Sequence, residues 1–362
     1  VFTRDVSTRD SLGAAPVVIA HRGIPGFRLE HTRPSYELAI AEGCDYIEPD
    51  VVATRDGHLV VRHENEISIS TDVAAHPEFA ARRTTKWVDG LPMSGWFTED
   101  FTLAELKTLT VRERLPHLRP QNVSLAGQQR ILTFDEVLDV AEQATASLGR
   151  PIGVYVETKH PTYFARLGLD LDDLLVEVLE RRGVNVPGHH VVVQSMETAN
   201  LRSLRGRTPL PLIQLMDRQG APYDLVAAGD PRTYADLESA RELARIADYA
   251  DGIGPNKSQV VARDAKQRLT QETGLVARAH AAGLLVHVWT MRDENNFLPR
   301  DHRLGRDKAA HGDAVAEYLR FFDAGVDGVF SDFTPTAVRA RQAWRTTQRE
   351  GSRSTWTEPA WA

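Results

Sequence analysis

Short apolar runs alternate with amphipathic stretches along most of this chain. The first run, Val17-Val18-Ile19-Ala20, reads as a strand over 16–20 that delivers His21, Arg22 and Gly23 at its end. From Thr32 the spacing of Tyr36, Ala39 and Ile40 predicts a helix to about Glu42. Thr32 is placed to cap it, Pro34 lies in its first turn, and Gly43 ends it. A second strand follows at 45–52. The turn signal Thr54-Arg55-Asp56-Gly57 then leads to a returning strand, Leu59-Val60-Val61, which brings up His63.

Residues 64–131 break this rhythm with scattered Pro and Gly and with the exposed-looking aromatics Trp87, Trp96, Phe97 and Phe101. A short helix is expected at 102–109, where Thr102 and Glu105 form a capping box. So long a stretch between two elements of a compact domain reads as an inserted subdomain, either a lid over a site or a rim that only packs.

The alternation then resumes. Thr133 caps a predicted helix to about 147, and further helices fall at 170–182, 197–205, 231–247, 270–282 and 312–324, with a last one opening at Thr334-Pro335. Strands fall at 152–157, 191–195, 212–215, 252–255, 284–290 and 326–331. Roughly eight strands, each followed by a helix, give the pattern of a TIM (β/α)₈ barrel over 16–345. Residues 1–15 read as a loosely held arm, and 346–362 as a polar tail, apart from Trp356 and Trp361, that is expected to be mobile. A doubly wound sheet competes, but His21-Arg22-Gly23-Ile24-Pro25-Gly26 is not the Gly-rich phosphate turn such a sheet carries after its first strand.

Composition narrows the class. The 362 residues are 42% hydrophobic and 26% charged, ordinary for a soluble globular chain. A net charge of −7 leaves no basic excess for nucleic acid. The single cysteine, Cys44, excludes an internal disulfide and a Cys-rich zinc cluster, and no apolar run is long enough to span a bilayer. The chain opens on Val1 without a signal-like segment, which suits a processed secreted protein and equally a trimmed one.

Chemistry collects at the predicted strand ends. Glu48 and Asp50 are two apart on a strand, so both side chains leave one face. Two adjacent carboxylates need a positive partner, which a cation or a neighbouring Arg or Lys can supply. Glu157, at another strand end, offers a third oxygen ligand; three carboxylates without cysteine suit a hard divalent cation, Ca²⁺ or Mg²⁺. His21 and His63 could serve as an acid–base pair near neutral pH for cleaving a phosphodiester, although either alone would more often be a structural histidine. Arg22 is a candidate phosphate clamp and Lys159 a second cation for developing charge. Trp289 could stack on a bound organic group or simply pack in the core, and Asp332 reads as no more than a cap for the last helix.

His21-Arg22-Gly23, Glu30-His31-Thr32, Glu48-x-Asp50, Thr54-x-Asp56-Gly57, Val60-Val61-x-His63, Glu157-x-Lys159 and Ser331-Asp332-Phe333 together resemble the glycerophosphodiester phosphodiesterases, in that family's order and spacing. The resemblance implies a TIM barrel with a small insertion after the second strand, here 64–131. It implies a divalent metal, often Ca²⁺, on Glu48, Asp50 and Glu157, with His21 and His63 as acid and base and Arg22 and Lys159 holding the phosphate. A glycerol hydroxyl would attack phosphorus to give a cyclic phosphate, which water opens to sn-glycerol 3-phosphate after the head-group alcohol leaves. Glu30-His31-Thr32 and Tyr249–Pro255 are closer to the secreted or periplasmic bacterial branch, which implies that location. Two positions depart from the family pattern: Pro49 should break or bulge the strand between the two carboxylates, and Glu64 stands where Asp is usual.

The expected substrate is a small glycerophosphodiester such as glycerophosphocholine or glycerophosphoethanolamine. An apolar mouth on 64–131, built from Trp87, Trp96 and Phe97, would favour instead a phospholipase D-like enzyme acting on lysophospholipids or sphingomyelin. A non-catalytic binding protein on the same scaffold would normally lack one of the catalytic residues, and none is missing here.

Overall fold

The computed structural model describes residues 15–354; most of the predicted N-terminal arm, and Trp356 and Trp361, lie outside the described residues. Strand β1 (Val17–His21) starts the barrel, followed by β2 (Tyr46–Glu48), β3 (Asp50–Ala53) and β4 (Leu59–Val61). A small hairpin, β5 (Thr84–Val88) and β6 (Leu91–Gly95), stands apart. Then come β7 (Gly153–Thr158), β8 (Val191–Ser195), β9 (Leu212–Met216), β10 (Gly252–Pro255), a second hairpin of β11 (Val261–Arg263) and β12 (Leu269–Glu272), and finally β13 (Leu285–Met291) and β14 (Gly328–Ser331).

Parallel pairing runs β1–β2–β7–β8–β9–β10–β13–β14 and closes from β14 back to β1, with helices around the outside. This is the (β/α)₈ barrel read from the alternating pattern. The second stave is split at Pro49, which has no N–H for the ladder. Tyr46 and Ile47 pair with Gly153 and Val154 below the break, and Asp50 pairs with Glu157 above it. β4 folds back antiparallel on β3, Val51 facing Val61.

The period of two along each strand sorts the interior into layers. Ile19, Tyr155, Val192, Ile213 and Phe330 form a buried plug inside the barrel, with Val17 and Tyr46 packed against it. One step further along the same strands stand His21, Glu157 and Gln194, with Asp332 just beyond β14. The polar layer therefore sits on an apolar floor at the carboxyl ends of the strands.

Helix ends follow their local chemistry. Thr102 and Thr133 each form a complete capping box, with Glu105 and Glu136 respectively. Thr32 precedes the helix Arg33–Ala41 without capping it through its side chain; its hydroxyl donates instead to Leu29 O. The helix expected at 102–109 is only Leu103–Leu106.

Three other expectations need correction. The helix predicted at 270–282 begins only at Leu275, because Asp264 accepts from the N–H groups of Lys266 and Arg268 and turns the chain into the β11–β12 hairpin. The stretch 231–247 is two helices, Tyr234–Leu237 and Ala240–Ile246, since Ser239 caps the second by accepting from Glu242 N. The last helix runs Thr334–Ser354, so 346–354 is helical rather than a loose tail. Trp344 anchors it, packing on Phe322 and donating to Asp323.

In 64–131 the aromatics that look exposed in sequence are mostly core. Phe97 and Phe101 are fully buried and Trp96 nearly so, its indole donating to Phe79 O, because the segment is long enough to fold on itself. Only Trp87 of the four is exposed, at 69%.

Candidate active site

After His21 the chain turns sharply: Arg22 and Gly23 both have positive φ, at 58° and 89°. A side chain at Gly23 would collide with Ser35, its Cβ 2.8 Å from the Ser35 backbone, so this turn requires glycine. The turn aims the Arg22 N–H back into the barrel mouth, where it donates to Glu48 Oε2 at 2.8 Å. The other Glu48 oxygen accepts from Gln194 Nε2 at 3.0 Å. Asp50 Oδ2 is 2.9 Å from His31 Nε2, and His31 is itself held by Tyr36. Asp50 Oδ1 is buried with no protein partner. Glu157 accepts from Lys159 Nζ at 2.8 Å.

Glu48, Asp50 and Glu157 thus converge, each offering a carboxylate oxygen within 4.8 Å of the others. That spacing, the all-oxygen donor set and the free Asp50 Oδ1 fit a hard divalent cation. Charge crowding agrees. Burial and the two neighbouring carboxylates push Glu48 well above the usual carboxylate range, and burial raises Glu157 to about 7. Asp50 goes the other way: burial opposes its charge, but Arg22, His63 and His31 hold it well below that range.

One cleft of about 460 Å³ gathers His21, Arg22, Glu48, His63, Glu157, Lys159 and Trp289. Phe330, Leu215 and Met196 give it apolar walls. His21 presents Nδ1 to Asp332 Oδ1 at 2.6 Å, leaving Nε2 for the cleft. His63 Nε2 lies 3.3 Å from Lys159 Nζ, and its Nδ1 lies 2.6 Å from Glu64. Burial, with the charge of Arg22 added, lowers His21 to about 4; loss of solvent, with Arg22 and Lys159, lowers His63 to about 3. Both imidazoles are neutral near pH 7. Arg22 is already engaged, 3.2 Å from Glu30 and 3.2 Å from Asp50, so it reaches the cleft from within a carboxylate cage. Trp289 is anchored by its indole N–H to Gly254 O at 2.7 Å.

The geometry adds residues that sequence reasoning passed over. Asp332 is buried between His21, Arg119 and Arg292, the two guanidinium groups at 2.5 and 2.7 Å from Oδ2. Burial opposes its charge, yet Arg292, Arg119 and His21 keep it well below the ordinary range. Its place directly after a barrel strand was the available signal. Arg119, from the 64–131 segment, also binds Glu294 at 2.8 Å. Gln194 could have been found by counting two residues on from Val192 along β8.

Residues 21–336 match the model of the glycerophosphoryl diester phosphodiesterase family. The chain belongs to that family. Glycerophosphodiester phosphodiesterase activity comes with the membership. A glycerophosphodiester phosphodiesterase of Arabidopsis thaliana, GDPD6, is 36% identical over 334 residues, covering 88% of this chain and 84% of the relative. Another from Haemophilus influenzae is 26% identical, covering 89% of this chain and 88% of that one. The fold is shared with a solved putative glycerophosphoryl diester phosphodiesterase of Silicibacter pomeroyi, with TM-score 0.65, 22% identity and 93% and 97% of the two chains covered. It is also shared with an Oleispira antarctica phosphodiesterase solved with the product sn-glycerol-3-phosphate, with TM-score 0.59, 20% identity and 92% and 99% covered. Plant and bacterial relatives match over similar lengths, so they do not single out the bacterial secreted or periplasmic branch for this glycerophosphodiesterase.

Proposed function

We propose that this enzyme hydrolyses small glycerophosphodiesters to sn-glycerol 3-phosphate and an alcohol, with His21 and His63 moving the protons. The observation that carries the reading is that one cleft holds both imidazoles, Arg22 and Lys159 around the Glu48–Asp50–Glu157 group. Ca²⁺ or Mg²⁺ held by those carboxylates would supply the positive charge that acidifies a substrate hydroxyl and offsets charge on the phosphate.

Neutral His21 is suited to take the proton of an attacking glycerol hydroxyl at Nε2, since the Asp332 carboxylate stabilises the imidazolium that forms. The hydroxyl oxygen bonds to phosphorus, the bond to the head-group oxygen breaks, and a cyclic phosphate is left. His63 beside Lys159 is the candidate donor to the departing alkoxide: neutral at rest, it first takes a proton from solvent, which the neighbouring ammonium group then makes it release readily. Arg22 and Lys159 supply positive charge beside the non-bridging oxygens. Water then opens the ring with the two roles reversed.

Trp96 and Phe97 are buried, so the apolar mouth that would favour a lipid-directed enzyme is not assembled from them. Steady-state hydrolysis of glycerophosphocholine by His21→Ala and His63→Ala tests the assignment. Each should lose at least 10³-fold in kcat; near wild-type turnover in either removes that residue from the mechanism.

A further inference from the structure

A second cleft, of about 700 Å³, opens beside the first and shares Glu157, Lys159 and Met196 with it. We propose that this cleft is the subsite for the leaving alcohol, and that Asp89 makes it selective for hydroxyl-bearing, polyol head groups. The proposal rests on the phosphodiesterase reading and names the substrate class of that same site. Lys159 lines both clefts, so a diester whose phosphate sits there has room for one substituent in each.

Asp89 comes from the 64–131 segment. It is the first residue of the two-residue turn between β5 and β6, where Asp89 and Gly90 both take positive φ, at 47° and 77°. A Cβ at Gly90 would lie 3.5 Å from the Tyr223 ring, so the hairpin tip closes against the barrel loop that forms the far wall. The tip is fixed on the near side too. Asp89 Oδ2 binds His160 Nδ1 at 2.5 Å, His160 Nε2 lies 3.4 Å from Glu64, and Glu64 lies 2.6 Å from His63. The hairpin is thereby tied to a candidate acid–base residue.

The chemistry of the ligand follows from what is left over. Asp89 Oδ1 is buried and has no partner, an acceptor waiting for an O–H or N–H. Charges in the lining are matched: Asp89 faces His160 and Glu157 faces Lys159. Burial opposes a charge on His160, but Asp89 and Glu64 raise it to about 9, so its pair with Asp89 is ionic near neutral pH. Glu197, almost fully buried in the wall, is taken up by the Thr162 N–H and hydroxyl, and burial pushes it up to about 8. Little uncompensated negative charge remains to favour a quaternary ammonium group. What the wall offers is the Asp89 acceptor, with Tyr223 and Tyr234 in the lining, the Tyr234 hydroxyl already donating to Met196 O and that of Tyr223 accepting from Arg166.

The test compares kcat/KM on glycerophosphoinositol, whose leaving group carries several hydroxyls, with glycerophosphocholine, whose leaving group carries no donor. Asp89→Ala should lower the inositol-to-choline ratio at least tenfold, as expected when a hydrogen bond to a charged group is lost. Asp89→Asn, which keeps an oxygen acceptor, should hold the ratio within about threefold of wild type. Three results overturn the subsite: a deeper loss on the choline diester, an equal loss on both, or Asn behaving as Ala does. If the wild-type enzyme turns over neither diester, the phosphodiesterase reading fails and takes the subsite with it; the selectivity results are read only on an active enzyme.

Discussion

His21 and Asp332 are 311 residues apart in sequence and 2.6 Å apart in the fold. The contact exists because β14 closes the barrel against β1, with Ala20 in register with Ser331, so the residues that follow this pair meet across the seam. Through it the last strand sets the tautomer of a histidine on the first.

Asp332→Asn should therefore lower kcat by about 10² to 10⁴ with a much smaller effect on KM, the cost of a misdirected imidazole. The carboxylate raises the pKa of His21, so its removal should also move the acidic limb of the pH–kcat/KM profile to lower pH. A merely structural role would leave that limb where it is, and the profile decides between the two.

Divalent cations should stabilise the fold through the acidic group. At a hundred times its dissociation constant, Ca²⁺ or Mg²⁺ should add about 2.7 kcal/mol to the unfolding free energy, seen as a rise of a few degrees in Tm after chelation and readdition. Asp50→Asn should abolish the rise. A cation effect that survives in the Asn variant would place the ion elsewhere.

Arg119 joins the 64–131 segment to the barrel by ion pairs with Asp332 and Glu294, all three almost fully buried. Arg119→Ala leaves two buried carboxylates short of a partner and should cost about 3–5 kcal/mol of stability. Denaturant unfolding measures this directly, and an unchanged midpoint would mean that water replaces the guanidinium.

Asp293 gives a pH signature of its own. Burial raises its carboxyl to about 7, and among the described residues only Thr336 donates to it, at 2.6 Å. A folded-state pKa above the unfolded value means the protonated form is favoured in the fold. Its contribution is complete below about pH 4, the unfolded carboxylate value, and is lost as pH rises to 7. Asp293→Asn should flatten the wild-type decline in Tm between about pH 4 and 7; parallel Tm curves for the two proteins would rule Asp293 out as its source.

The chain alone determined the barrel, because strand and helix periods are local and repeat eight times, with a legible cap at Thr133 where the repeat resumes. It also made the nearness of Glu48 and Asp50 legible, since only Pro49 separates them, although that proline ends one strand and starts the next between the two carboxylates. Local pattern misled where a turn or a neighbour decided: Asp264 turned a predicted helix into a hairpin, and self-packing of 64–131 buried Phe97 and Phe101. Tertiary structure alone decided which charges meet. Asp332 on His21, Arg119 on Asp332, and Asp89 on His160 depend on barrel closure and on where the insertion lands. Such pairings are long-range, and nothing in the residue types at either end names the partner.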